Sequence, residues 1–96
     1  MYCVIFKAKT KSIDKPYQET AHRMRELALS KYGCTDFSSM MKNDSEIALS
    51  YWNSLEDISN WKRDAEHLEA QRLGAEKWYA SYTVQICKIE KAYSNP

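Results

Sequence analysis

The sequence predicts an α+β protein of the ferredoxin-like βαββαβ type, a four-stranded antiparallel sheet with both helices on one face. Three observations predict it. Period-two alternation of apolar residues recurs in four stretches, i, i+3, i+4 spacing recurs in two, and the six elements follow one another in the order β-α-β-β-α-β. No repeat, low-complexity segment or long linker divides the 96 residues, so a single domain over 1–96 is expected.

The first strand is expected over residues 2–10, with Tyr2, Val4, Phe6 and Ala8 on one face and Cys3 and Ile5 on the other. Lys9, Lys11, Lys15 and Pro16 form a polar connection. The positions Tyr17, Thr20, Ala21, Met24, Leu27 and Ala28 then follow the spacing of an amphipathic helix, which Gly33 terminates. A second strand over 34–41 and a third over 45–53 make a hairpin around Lys42, Asn43 and Asp44. In the third strand Ile47, Leu49 and Tyr51 alternate against Ala48, Ser50 and Trp52. Ser54, with Asp57 three residues on, opens a second helix whose stripe is Leu55, Ile58, Trp61, Ala65 and Leu68, ending at Gly74. The last strand is expected over 77–91, far longer than the usual 5 or 6 residues.

Composition narrows the partners. A formal net charge of +1, with cations and anions interspersed, offers no basic patch for nucleic acid and no polybasic stretch for a membrane. The apolar run Cys3 to Phe6 is too short for a signal peptide, and nothing approaches the roughly 20 apolar residues of a membrane span, so a cytoplasmic location is expected. Cys3, Cys34 and Cys87 are odd in number and widely spaced, which fits reduced thiols rather than disulfides or zinc ligands. With no metal-ligand cluster and no phosphate-cradling glycine loop, no metal or organic cofactor is expected.

A chain this short has a thin core. Apolar groups such as Ile5, Phe37 and Trp52 occupy both alternation classes of the strands, so helices on one face would leave large groups bare on the other. Two sheets packed face to face, with the long last strand reaching across, would cover them. A homodimer is expected on this ground.

Residues 51–82 hold all three tryptophans, Tyr51, Tyr79 and Tyr82, and one of two histidines. The run WNSLEDISNWKRDAEHLEAQ, followed by WYASYTVQICKIEKAY, resembles the second half of the antibiotic biosynthesis monooxygenase family, from Trp52 to Tyr93. The resemblance implies a dimeric α+β barrel with a pocket in each subunit between sheet and helices. Members of that family include cofactor-independent oxygenases of polycyclic aromatic or quinol substrates, and haem-degrading enzymes. The haem-degrading branch is similar in its helix tryptophan, matched by Trp61. Its iron-ligating histidine falls where this chain has Gln71, and its first-strand asparagine where this chain has Ile5, Phe6 and Lys7.

On a straight helix His67 would lie about 180° from Ile58, on the solvated side. His67, Ala70, Gln71 and Gly74 nevertheless form a row of their own, and a bend near Arg63 and Asp64 would turn that row and Trp61 toward one cleft. In that arrangement His67, titrating near neutral pH, would accept a phenolic proton beside Trp61, the two forming the catalytic pair. Trp52, Tyr79 and Tyr82 would wall in a small aromatic molecule and Gln71 would give it a hydrogen bond. His22, on the polar side of the first helix, reads as solvent-exposed. Three functions stay open: a cofactor-independent monooxygenase, a haem-binding or haem-degrading protein, and a non-catalytic dimeric ligand-binding protein.

Overall fold

The computed structural model describes residues 1–96. Strand β1 (Tyr2–Thr10) leads to helix α1 (Lys15–Ser30), the hairpin β2 (Cys34–Lys42) and β3 (Ser45–Trp52), helices α2 (Leu55–Arg63) and α3 (Ala65–Leu73), and β4 (Tyr79–Lys88). The four strands form one antiparallel sheet in the order β2-β3-β1-β4. This is the ferredoxin-like arrangement that the alternation implied. No helix is long and apolar enough to cross a membrane.

Local chemistry accounts for the element ends. Asp14 Oδ1 accepts the Tyr17 N–H at 2.9 Å and Pro16 sits in the first turn of α1, where its missing N–H costs nothing. Beyond α1, Gly33 takes φ +84°, the left-handed turn that sends the chain into β2. Ser54 Oγ accepts the Asp57 N–H at 3.1 Å and opens α2. Asn43, at φ 56°, makes the two-residue β2–β3 turn.

Cross-strand register sorts the side chains. Val4, Phe6, Ala8, Glu46, Ala48, Ser50 and Trp52 share the face beneath the helices, and Ile5 stands beside Leu49 on the opposite face. Phe37, paired with Ser50, also lies on the helix side, so of the three residues expected to split between faces only Ile5 is on the open one. The open face is still apolar: Ile47 is 43% exposed, and Ile5, Leu49 and Tyr51 are only half-buried.

The core is thin, with 14 of 96 residues buried. Val4, Leu27, Ala28, Cys34, Trp52, Ile58 and Trp61 form one cluster where α1 and α2 cross the sheet. Tyr17 is buried too, but Ala21 is exposed and Thr20 and Met24 only partly covered, because the middle of α1 faces a hollow rather than packed side chains.

Two expectations about length and phase are corrected. The second helix is not continuous: Asp64 takes ψ 138°, ends α2 and starts α3. Of the stripe from Leu55 to Leu68 only Ile58 and Trp61 are buried: Leu55, in the first turn of α2, is exposed, and beyond the break Leu68 turns outward, 53% exposed. The last strand is ten residues rather than fifteen. β1 supplies ladder partners only between Tyr2 and Thr10, and two further bonds, from the Lys11 N–H to the Trp78 carbonyl at 2.8 Å and from the Ile89 N–H to the Met1 carbonyl at 3.0 Å, close the pairing at its two ends. The α-helix ends where Gly74 was expected to end it: Gly74, at φ −59°, caps α3 and leads into one wide π turn, Gly74–Trp78, that delivers Trp78 and Tyr79 to the sheet.

Candidate functional site

Between the helix layer and the sheet lies a cavity of about 640 Å³. That volume is in the range of sites for drug-sized ligands. It exists because the helices cover the sheet over β2 and β3 while small residues, Ala21 and Ala48 among them, stand where a packed core would put large ones.

Asp64 builds one end. Its Oδ1 accepts the Glu66 N–H at 2.8 Å, capping α3, and its Oδ2 accepts the Tyr32 hydroxyl, tying the break to the end of α1. These bonds hold the carboxyl well below the usual carboxylate range, the Tyr32 hydroxyl contributing most. The break resets the helical phase and turns His67 inward. The imidazole meets the Trp61 indole nearly edge-on, ring centroids 4.4 Å apart at 67°, and both line the cavity. Trp61 is held from three sides: its Nε1 donates to the Met24 carbonyl at 3.3 Å, Trp52 lies 5.2 Å away and Phe37 6.2 Å away.

His67 Nδ1 is buried with no hydrogen-bond partner. Burial pushes the imidazole pKa down to about 4, and the Lys62 charge adds to the effect. This corrects the expectation of titration near neutrality: the cavity wall withholds water from the imidazolium and keeps the ring uncharged well below pH 6.5.

The other end is built by the π turn. Tyr79 donates from its hydroxyl to Glu46 Oε2 at 3.4 Å. Its ring packs against Phe6 at 5.3 Å and Tyr82 at 6.0 Å, while Tyr17 stands edge-on to Trp78 at 5.4 Å. Trp78 Nε1 donates to Asp14 Oδ1 at 3.1 Å, pinning the turn to the start of α1. Desolvation raises the pKa of the Glu46 carboxyl, and that of Tyr79 rises through burial and the neighbouring carboxylate.

Of the residues singled out from sequence, Trp61, His67, Gln71, Tyr79 and Tyr82 all line this cavity. Gln71 and Tyr82 stand exposed at its margin. Trp52 does not line it. Its side chain is wholly buried, with Nε1 donating to Ser50 Oγ at 2.8 Å, so its place is behind Trp61 in the core and not in the wall. His22 is exposed, as expected, at the cavity's edge. Sequence reading missed Glu46. Its signal was present, since extending the alternation of Trp52, Ser50 and Ala48 by two residues puts a carboxylate on the same inward face.

No family model matches the chain. It is 36% identical over 91 residues to the uncharacterized protein YqjZ of Bacillus subtilis, covering 94% of this chain and 80% of YqjZ. The fold is that of SnoaB, a cofactor-independent oxygenase from Streptomyces nogalater, at TM-score 0.81 and 6% identity over 98% of this chain and 97% of that one. Rv0793 from Mycobacterium tuberculosis superposes at TM-score 0.82 with 10% identity over 97% and 98% of the two chains. A further structure, an antibiotic biosynthesis monooxygenase, gives TM-score 0.70 at 12% identity over 95% of this chain and all of that one. With its break at Asp64 and its ring-walled hollow, the chain belongs to the family of YqjZ and carries the fold of the antibiotic biosynthesis monooxygenases.

Proposed function

We propose that the protein is a cytoplasmic, homodimeric monooxygenase that oxidises a small aromatic or quinol-type substrate with dioxygen, without metal or organic cofactor. The observation that carries this reading is the Trp61–His67 pair on the wall of the cavity, with the buried Nδ1 unpartnered. A buried polar atom without a partner is costly unless a ligand completes it. The monooxygenase fold of the solved relatives supports the reaction class, and SnoaB is itself a cofactor-independent oxygenase.

The chemistry asks the protein for little. A phenol or enol gives its proton to His67 as its ring becomes electron-rich, and the anion passes an electron to dioxygen. After recombination one oxygen atom enters the substrate and the other leaves as water, so that a ring CH2 and O2 become C=O and H2O. His67 is unprotonated at pH 7 and therefore free to accept. Its low pKa opposes protonation until a negative charge forms beside it, which couples proton acceptance to formation of the substrate anion. Trp61 supplies a flat wall against which a planar ring stacks.

Oxygen uptake with hydroxylated anthrones and naphthoquinols tests this. His67→Ala and Trp61→Phe should each lower the rate at least about tenfold. Trp52→Phe, which thins the support behind Trp61 without touching the wall, should lower the melting temperature and reduce turnover less than either. Unchanged rates in His67→Ala would remove the imidazole from the mechanism.

A further inference from the structure

Glu46 is the one carboxylate buried in this protein, 8% exposed, and it lines the cavity. It makes no salt bridge with any lysine or arginine. Its sole hydrogen-bond partner is the Tyr79 hydroxyl, at Oε2, and Oε1 has none. Desolvation dominates its environment and raises its pKa. Largely buried, with one long hydrogen bond and no cation beside it, the carboxylate is under-compensated, and a cationic ligand group would complete it.

Its surroundings indicate the chemistry of that ligand. Phe6, Tyr17, Tyr79 and Tyr82 lie around this end of the cavity, their ring centroids 5.3 to 6.2 Å apart, and aromatic faces attract cations. Of the cationic lining residues, Lys62 belongs to the opposite end, where its charge acts on His67. Glu46 and the Ser50–Phe37 level, where Trp61 packs, are four residues apart along β3, roughly 13 Å at the rise of a strand. The hollow is thus polarised along its length, with a carboxylate at one end and the Lys62 charge acting on the imidazole at the other.

We infer that Glu46, steadied by Tyr79, receives an ammonium group of the ligand at the end of the cavity remote from Trp61 and His67. The substrate of the proposed oxygenase is then an amino-bearing aromatic, its phenol or enol toward His67 and its amine toward Glu46. This inference rests on the cavity being the ligand site.

Three matched compounds test it on the full chain: 6-(2-aminoethyl)-2-naphthol and its 2-hydroxyethyl and n-propyl counterparts, titrated calorimetrically under nitrogen at pH 7. The amine should bind at least about tenfold more tightly than either counterpart, the margin of a charge-assisted contact. In Glu46→Gln, which keeps the shape and the Tyr79 bond, the three should fall within about threefold of one another, with the near-ultraviolet circular dichroism unchanged. Tyr79→Phe should retain most of the preference. Equal binding in the unaltered protein, a preference that survives Glu46→Gln, or tightest binding of the hydroxyethyl compound would each overturn the assignment, and so would no binding by any of the three. Because binding is read without turnover, an amine preference with no oxygen uptake would uphold Glu46 and sink the oxygenase instead.

Discussion

The imidazole of His67 packs edge-on to the indole of Trp61 with centroids 4.4 Å apart. Residues six apart point about 120° away from each other on an unbroken helix. They meet because Asp64 interrupts the helix between them. The catalytic proposal therefore hangs on a capping residue that touches no substrate.

Asp64→Ala removes the cap of α3 and the acceptor of the Tyr32 hydroxyl together. The expected outcome is a melting temperature lower by on the order of 5 °C and partial fusion of α2 with α3. His67 then rotates toward water, and its pKa, read from imidazole proton shifts by NMR, moves from about 4 toward 6.5. An imidazole that still titrates near 4 in this variant would show that Asp64 does not set its orientation.

The depressed pKa of His67 also shapes stability. The folded value, about 4, lies below the unfolded 6.5, so the unfolded chain binds the proton first as pH falls. The contribution is whole above pH 6.5, declines between 6.5 and 4, and levels off below 4. Its slope is at most about 1.4 kcal/mol per pH unit, reduced by the partial exposure of the ring. Urea unfolding from pH 7.5 to 4 should show this decline, and His67→Phe should flatten it. Oxygen uptake by the unaltered protein should show no inflection near pH 6.5 from this group.

Gly74 is a spacer. A Cβ there would come within 2.9 Å of Cδ2 and Cε2 of the Tyr79 ring, although its backbone is ordinary helix. Gly74→Ala gains about 1 kcal/mol of helix propensity and costs about 1 to 3 kcal/mol by overpacking, so slight net destabilisation is expected. The ring must swing, which breaks its 3.4 Å bond to Glu46. Ultraviolet difference spectra of the tyrosines should register the change, while most of the amine preference should survive it, as in Tyr79→Phe.

The open face of the sheet, with Ile47 43% exposed beside Leu49 and Ile5, supports the homodimer expectation. Sedimentation at micromolar concentration should give about twice the 11.3 kDa chain mass, and Ile47→Glu should shift it toward one. A monomer in the unaltered protein would remove the dimer from the proposal while leaving the cavity, which one chain builds alone.

Much of this fold was legible because periodicity is local. Alternation placed β1 correctly and β3 to within one residue, and Ser54 announced the start of α2 as soon as Asp57 followed it. The break at Asp64 was only half legible: the pattern read as one helix to Gly74, with a bend near Arg63 and Asp64 as the condition for bringing Trp61 and His67 to one cleft, and the chain meets that condition. Other features depend on partners that periodicity does not report. Trp52 and Trp61 look equally suited to a wall, and only the crossing of α2 over β3 buries the first completely and leaves the second at the edge of a void. The length of β4 followed from where β1 could pair with it, not from its own residues. Glu46 gained its meaning when the π turn carried Tyr79 onto it from 33 residues away. Side-chain pattern sets which face a residue takes, because that depends on its neighbours in the chain. Whether that face meets packed atoms, water or a cavity depends on segments distant in the chain, and their arrangement is a property of the folded whole.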